Sequence, residues 1–583
     1  MSYLLPSQRA AKLGSGVDTR RVERVTGILG MFGLLVVLVA AAASAGEAVT
    51  ARRGMVVSVC PEASAIGRAT LQRGGNAVDA AVAVAFGLAV TFPEAGNIGG
   101  GGFMVVVPGD GREPLAIDYR EVAPAGASPE LFAALDSRLG HKAVGVPGTV
   151  RGLGVAHERF GRLPWRDVVA PAIGIAQDGL TLDAQLADSL NRLVRQSPEF
   201  PELVRVYGKD GGQAAWVAGD RLLQPDLART LRQIADGGPA AFYRGSIAEL
   251  IVAEMEQGGG LIGTDDLAGY TAHVKPPLRG TFRGYEIFCP PAPSGGPVLV
   301  QMLNVLENFD LRAQGRWTPQ TLHWLIEAMR FAYFDRACYL ADPAFAEIPP
   351  RLTGKEYARE LAGKIDPDRA ASSERLAASR QIALWPEGEQ TTHFSVIDHT
   401  GMAVANTYTL EQSFGSRVVV RGGGFLLNNE MGDFNWKPGR TDRQGMIGTV
   451  PNRVAPGKRM LSSQTPTIAT RDGRVVLVTG SPGGRTIINT VLQVVLNVLE
   501  FEMDVASAVA APRIHNPWLP DRVMVEQRLA TDYAERLDEL AKRGHSLAPV
   551  ASQGDAHSIW VDLATGEFHG AADTRRKGSA LGY

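Results

Sequence analysis

Threonine inside a chain is a weak nucleophile, because nothing beside its hydroxyl is placed to take the proton. The stretch Gln390-Thr-Thr-His-Phe-Ser-Val-Ile397 offers a way round this. It opens a strand pattern directly after a polar segment that ends Pro-Glu-Gly-Glu-Gln. If the bond before Thr391 is cut, a new α-amine with an ordinary pKa of about 8 sits on the same residue as the hydroxyl and can deprotonate it at neutral pH. The preceding segment, DPDRAASSERLAASRQIALWPEGEQ (366–390), lacks a core pattern and is expected to be mobile and accessible. A Thr-Thr pair alone is ordinary strand-edge sequence, so the reading depends on what surrounds it.

Other chemistries find little support. The three cysteines, Cys60, Cys289 and Cys338, form no C-x-x-C pair and no disulfide framework, and the ten histidines show neither H-E-x-x-H nor H-x-x-x-H zinc spacing. No metal site is expected. Gly258, Gly260 and Gly263 satisfy G-x-G-x-x-G, but they follow a helical pattern rather than a strand, so the loop is expected not to present a helix N-terminus and a dinucleotide loop is a chance match. Gly480 to Thr486 lacks the lysine and spacing of a phosphate loop, and no G-x-S-x-G elbow occurs.

The elements that must position Thr391 are legible from their periodicity. Ala77 to Val90 reads as a buried helix, and Ser246 to Gln257 as an amphipathic one with a Ser246/Glu249 capping-box pattern. Thr321 to Leu340 and Arg485 to Leu499 are further helices. Phe394–Ile397 with Met402–Thr409, Thr467–Thr470 with Val475–Thr479, and Ser558–Val561 with Phe568–Ala571 read as hairpins. Hairpins with buried helices predict an α+β protein of layered sheets covered by helices. The 583 residues, 45% hydrophobic and 21% charged, are globular, and length alone gives about three or four domains. A net charge of −2 gives no reason to expect a nucleic-acid partner.

The N-terminus points outward. Arg9, Lys12, Arg20, Arg21 and Arg24 precede an uncharged run from Val25 to Ala45 that ends Ala43-Ser44-Ala45 before Gly46. Residues 1–45 read as a signal peptide with an A-x-A cleavage site. An uncleaved membrane anchor and a buried core helix are the alternatives. Arg20-Arg21 hints at twin-arginine export, although Glu23 falls where that signal wants an apolar residue. Signal peptide and anchor both place the body outside the cytoplasm, in the periplasm or the medium.

Nine short motifs in sequence order give the chain its kinship. They are Asn97-Ile-Gly-Gly-Gly-Gly-Phe-Met104, Asp118-Tyr-Arg-Glu121, Gly145-Val-Pro-Gly148, Pro291-Ala-Pro-Ser-Gly-Gly296 and Gln390-Thr-Thr-His393, then Leu427-Asn-Asn-Glu-Met-Gly-Asp-Phe434, Leu461-Ser-Ser463, Thr479-Gly-Ser-Pro-Gly-Gly484 and Ala511-Pro-Arg513. Over roughly residues 50–583 the chain resembles the γ-glutamyltransferase (glutathione hydrolase) family of N-terminal-nucleophile hydrolases. The resemblance implies self-cleavage between Gln390 and Thr391, giving a large subunit 46–390 and a small subunit 391–583. It implies that both interleave in one αββα four-layer sandwich, two stacked antiparallel sheets covered by helices. The implied activity is cleavage of glutathione and other γ-glutamyl amides. A γ-glutamyl–threonine ester forms and passes its acyl group to water or to an amino acid or peptide, with no metal or organic cofactor.

Roles carry over position by position. Thr391 matches the nucleophile, Thr409 the hydroxyl that positions it, and Gly483 and Gly484 the oxyanion hole, where a missing Cβ lets backbone N–H groups approach. Arg120 matches the clamp for the donor's α-carboxylate, and Ser462 and Ser463 the hydroxyls that share it. Glu430 and Asp433 match the acids that hold the α-ammonium.

Two positions depart from the family pattern. Glu411 stands where many members have asparagine; facing the pocket, it would add a third carboxylate around the ammonium and raise carboxyl pKa values there. Pro438 to Met460 matches an active-site lid, with Gln444 where an aromatic gate is common. The rival readings are an acylase for glutaryl β-lactams or poly-γ-glutamate, and a non-processing surface protein of the same fold. A glutaryl group carries no ammonium, so the acids at 411, 430 and 433 argue against the first.

Overall fold

In the computed structural model, residues 47–135, 137–380, 385–386 and 391–583 are described. The N-terminal run 1–45 and Gln390 lie outside them. Strands such as Gly101–Val107, Thr392–Asp398 and Ala403–Thr409 are buried at every position, so both of their faces need cover. Two antiparallel seven-stranded sheets supply one face each. The first runs Val49–Ala51, Phe568–Ala572, His557–Val561, Arg474–Thr479, Thr467–Arg471, Tyr285–Cys289, Leu278–Phe282. The second runs Ser579–Gly582, Gly54–Ser58, Thr392–Asp398, Ala403–Thr409, Gly101–Val107, Leu115–Tyr119, His273–Lys275.

The period of two along each strand sorts side chains into layers. Met55, Val57, Ile397 and Ala405 of the second sheet meet Ile468, Val478 and Ile559 of the first in the central layer. Val56, Phe394, Val396 and Val404 point the other way, onto helices Pro61–Gln72 and Ala77–Thr91. On the far side, Ala469 and Leu477 pack against helices Gly296–Leu306, Pro319–Tyr339 and Thr486–Leu499. Helix, sheet, sheet, helix is the αββα order expected.

Residues Gly46–Tyr583 form one compact unit, not the several domains that length suggests. Each sheet draws strands from before and after Thr391, so no cut through the sequence there separates two cores. The hairpins and four helices occur where periodicity put them, within a few residues.

Three local expectations are corrected. Gly245, at φ 76°, takes the N-cap of Ser246–Gly258 without a side-chain bond, which places Ser246 inside the helix, where it caps nothing. A capping box does form at Asn76 and Asp79, at the head of the buried helix Ala77–Thr91. The polar segment is not wholly irregular, because Ser372 caps a helix Ser373–Ser379 that is tied down by Ser373 N donating to Asp521 and by Trp518 Nε1 donating to the Ser373 carbonyl. Beyond it, Trp385–Pro386 pairs with Gly445–Met446, inside the 438–460 segment expected to be a lid. The glycines at 258, 260 and 263 do follow a helix, yet Gly263 caps a six-residue helix, Thr264–Gly269. The missing strand, and not a missing helix N-terminus, removes the dinucleotide reading.

Candidate active site

Thr391 begins the strand Thr392–Asp398, and Thr409 ends its neighbour Ala403–Thr409. The register pairs Thr392 with Tyr408, which brings Thr391 and Thr409 together at one end of the sheet. Both line a single cavity with Arg120, Glu411, Glu430, Asp433, Ser462, Ser463 and Gly484. Nine of the ten described site residues named from sequence therefore converge. Gly483 lines an adjoining cavity with Pro482 and Gly554.

The glycine run before Phe103 explains how the threonines are held. A Cβ on Gly100 would lie 2.0 Å from the Thr409 carbonyl oxygen, and one on Gly102 2.3 Å from that of Thr407, so only glycine lets these strands touch. Asn97 Nδ2 donates to the Thr409 carbonyl at 3.0 Å, while its Oδ1 accepts from Gly100 N and the Thr149 hydroxyl. The Thr409 hydroxyl accepts from Glu411 N at 2.9 Å. His393 is fully buried, bonded to Thr407 Oγ1 and Ser395 Oγ. Burial, with His557 nearby, drives its pKa well below that of free histidine. Its ring occupies the space a Cβ on Gly480 would need, so it wedges the nucleophile strand against the loop that leads to Gly483.

That loop holds Gly483 at φ 123° and Gly484 at φ 53°, conformations that side chains disfavour. It feeds the fourteen-residue helix Thr486–Leu499, whose N-terminal dipole adds positive potential beside Gly484.

Acids crowd the next part of the cavity. Arg120, buried at the end of strand Leu115–Tyr119, pairs with Glu430 at 2.7 Å, with Glu121 at 3.4 Å and with Asp433. Burial favours losing its proton, but the carboxylates of Glu430, Glu121 and Asp433 outweigh that and hold its pKa above the usual value. Glu121 is pushed up to about 8 by burial, which its 3.4 Å contact with an already shared guanidinium only partly offsets. Glu430 is raised by burial and by Glu121, Asp433 and Glu411, against the pull of Arg120. Glu411 lines the cavity as the third acid, at φ 80°, with Arg138 Nη1 4.0 Å from it.

The serine side is fastened by the Pro-Ser-Gly-Gly motif. Ser462 N donates to the Pro293 carbonyl and Gly295 N to the Gln464 carbonyl; a Cβ on Gly295 would strike the Thr465 hydroxyl at 2.3 Å. Among the lining residues, Arg336, Asn435 and Asn452 are polar groups with no sequence signal of their own. Arg336 reaches in from helix Pro319–Tyr339. Asn435 and Asn452 come from beside and within the lid segment. Asn452 donates to the Asp433 carbonyl and accepts from Leu461 N, so one amide braces the acid side against the serine side.

Among the described residues, one trio has metal-ligand chemistry: His323, Glu327 and His545. Sequence spacing hides it, because His545 arrives from a distant helix end. Its places are taken, however. Arg330 donates to Glu327 at 3.2 Å, and the two imidazoles bond each other at 2.8 Å. Burial and the neighbouring His323, Arg330 and Arg543 push His545 down to about 3.

Comparison with known proteins agrees with this architecture. The glutathione hydrolase proenzyme of Escherichia coli K12 is 43% identical over 537 residues, spanning 90% of this chain and 91% of that protein. The Pseudomonas aeruginosa protein of the same name is 42% identical, over 92% of this chain and 95% of its own. A cephalosporin acylase from Bacillus halodurans superposes with a TM-score of 0.81 at 27% identity, over 92% of this chain and 97% of that structure. The family description Gamma-glutamyltranspeptidase matches residues 63–583, and the chain belongs to that family.

Proposed function

We propose that the protein is a self-processing γ-glutamyltransferase that cleaves glutathione and other γ-glutamyl amides, with Thr391 as nucleophile. The cut between Gln390 and Thr391 frees the α-amine of Thr391, with Thr409 lining the same cavity. The amine takes the hydroxyl proton as Oγ attacks the donor's γ-carbonyl, and backbone N–H groups at Gly483 and Gly484 receive the oxyanion. The proton passes to the departing amine, leaving a γ-glutamyl ester on Thr391. Water or an amino-acid or peptide amine then attacks the ester, returning the proton to Thr391 and releasing glutamate or a new γ-glutamyl amide. Every proton in this cycle moves between groups of the protein and its substrates.

The observation that carries the substrate class is the charge pattern of the cavity. Glu411, Glu430 and Asp433 suit an α-ammonium, while Arg120 with the hydroxyls of Ser462 and Ser463 suits the adjacent carboxylate. The likeness to a cephalosporin acylase favours a second reading, in which a glutaryl amide is the donor. Turnover of L-γ-glutamyl and glutaryl p-nitroanilides by the fully cleaved protein separates them. The γ-glutamyl compound is expected to be preferred by roughly 100-fold or more, because a glutaryl group offers no ammonium to the acid-lined part of the cavity. Equal turnover, or a preference for glutaryl, overturns the assignment.

We also propose export, supported by the basic stretch and the uncharged run 25–45. Among the described residues no helix is long and apolar enough to cross a membrane. The mature chain is expected to begin at Gly46 by N-terminal sequencing; retention of Met1 contradicts cleavage.

A further inference from the structure

Arg120 is a cation with its charge already divided. Glu430, Asp433 and Glu121 all lie on it, and Glu411 lines the same cavity. A donor's carboxylate therefore meets a guanidinium whose Nη groups are already engaged by acid side chains. The cavity holds another guanidinium close to the serine pair. Arg336, in the last turn of helix Pro319–Tyr339, points Nη2 at Ser463 Oγ, 3.1 Å away.

The direction of that bond is fixed by chemistry. A guanidinium has donors only, whereas a hydroxyl has one donor and two acceptor sites. Ser463 accepts from Arg336, so its own proton cannot lie along that line and is free to point into the cavity. Ser462 is set in the same sense by a different group, because its Oγ accepts from Gln464 N at 3.1 Å. Each hydroxyl thus accepts one bond from the protein and keeps its proton for a substrate acceptor such as a carboxylate oxygen.

We infer that Arg336 is a positioning residue and specificity determinant for the donor's α-carboxylate, orienting the Ser463 hydroxyl and supplying positive charge that Arg120 cannot spare. The inference rests on the reading of this cavity as a γ-glutamyl donor site. A merely structural Arg336, placed to meet the helix C-terminal dipole, would affect folding and every substrate alike.

The test uses two anilides that differ only in the carboxylate, L-γ-glutamyl-p-nitroanilide and 4-aminobutyryl-p-nitroanilide, with fully processed protein. Arg336→Met should raise KM for the γ-glutamyl anilide roughly 10- to 100-fold, with kcat within about threefold of wild type. On the 4-aminobutyryl anilide its kcat/KM should stay within about threefold of wild type. Adding Ser463→Ala to Arg336→Met should cost less than about threefold more, because the pair acts as a unit. If Arg336→Met does not fold or process, Arg336→Gln carries the same comparison: it removes the charge, and its amide stops two bonds short of the point where Nη2 meets Ser463, so a KM rise of about 10- to 100-fold is again expected. Equal losses on both anilides, or additive costs with Ser463→Ala, overturn the inference. A processed wild type inert toward the γ-glutamyl anilide overturns the donor reading itself, and the inference with it.

Discussion

At the scale of single residues, Thr391 is the proposed nucleophile and Thr409 its proposed support. Thr409→Val keeps the shape of the side chain and removes the hydroxyl that accepts from Glu411 N. It should lower kcat roughly 10- to 100-fold with little change in donor KM, as steady-state kinetics would read. Glu121 gives a prediction about stability. Its carboxyl keeps its proton in the fold up to about pH 8 but loses it near pH 4.5 when unfolded. The associated stability is fully present below about pH 4.5 and is lost as pH rises through about 8. Melting temperatures should therefore fall between pH 6 and 9 more steeply in the wild type than in Glu121→Gln, which mimics the protonated form. Parallel curves would show that Glu121 ionises freely. Nine of the ten candidate residues line one cavity; eight of the ten stand in the quoted motifs, and Thr409 and Glu411 were reached through the family resemblance at the end of the first hairpin. Arg336 and Asn452 were not legible, since one sits in an unremarkable helix and the other in a lid segment, and only folding brings them to the cavity.

The elements show why the glycine-rich motifs exist. Gly100 and Gly102 let one strand lie against the carbonyls of the strand that carries Thr409, while Gly101 faces the Tyr119 carbonyl and Gly99 that of Leu426. Gly100→Ala forces a methyl against the Thr409 carbonyl oxygen, 2.0 Å from the ideal Cβ position, and backbone cannot yield as a flexible side chain would. We expect a loss of about 3 kcal/mol in stability by denaturant unfolding, with kcat falling as Thr409 shifts. An unchanged kcat would mean that the register of these strands does not position Thr409. Strand and helix locations followed from periodicity, because buried apolar runs have few other places to go. Helix ends were harder. Ser246 lost the cap to Gly245, whose positive φ no propensity argument anticipates, and Ser373–Ser379 is held by Trp518 and Asp521, contacts from far along the chain.

The whole molecule binds the two halves of the sequence too closely for the cut to part them. Gly54–Ser58 pairs with Thr392–Asp398, and Ala403–Thr409 with Gly101–Val107, across the cleavage point. Native mass spectrometry of cleaved protein should therefore find one particle with the combined mass of both chains. Fragments that separate without denaturant would contradict the interleaving. Length suggested several domains because it counts residues and not strand partners; the four-layer order was legible only through the family resemblance.

The most direct test of the central claim is the intact mass of purified protein under denaturing conditions, for wild type and Thr391→Ala. The account predicts two chains from the wild type, the smaller spanning Thr391–Tyr583, and a single uncut chain from Thr391→Ala. A wild type that remains one chain, or one cut so that Thr391 is not the new N-terminus, would contradict it.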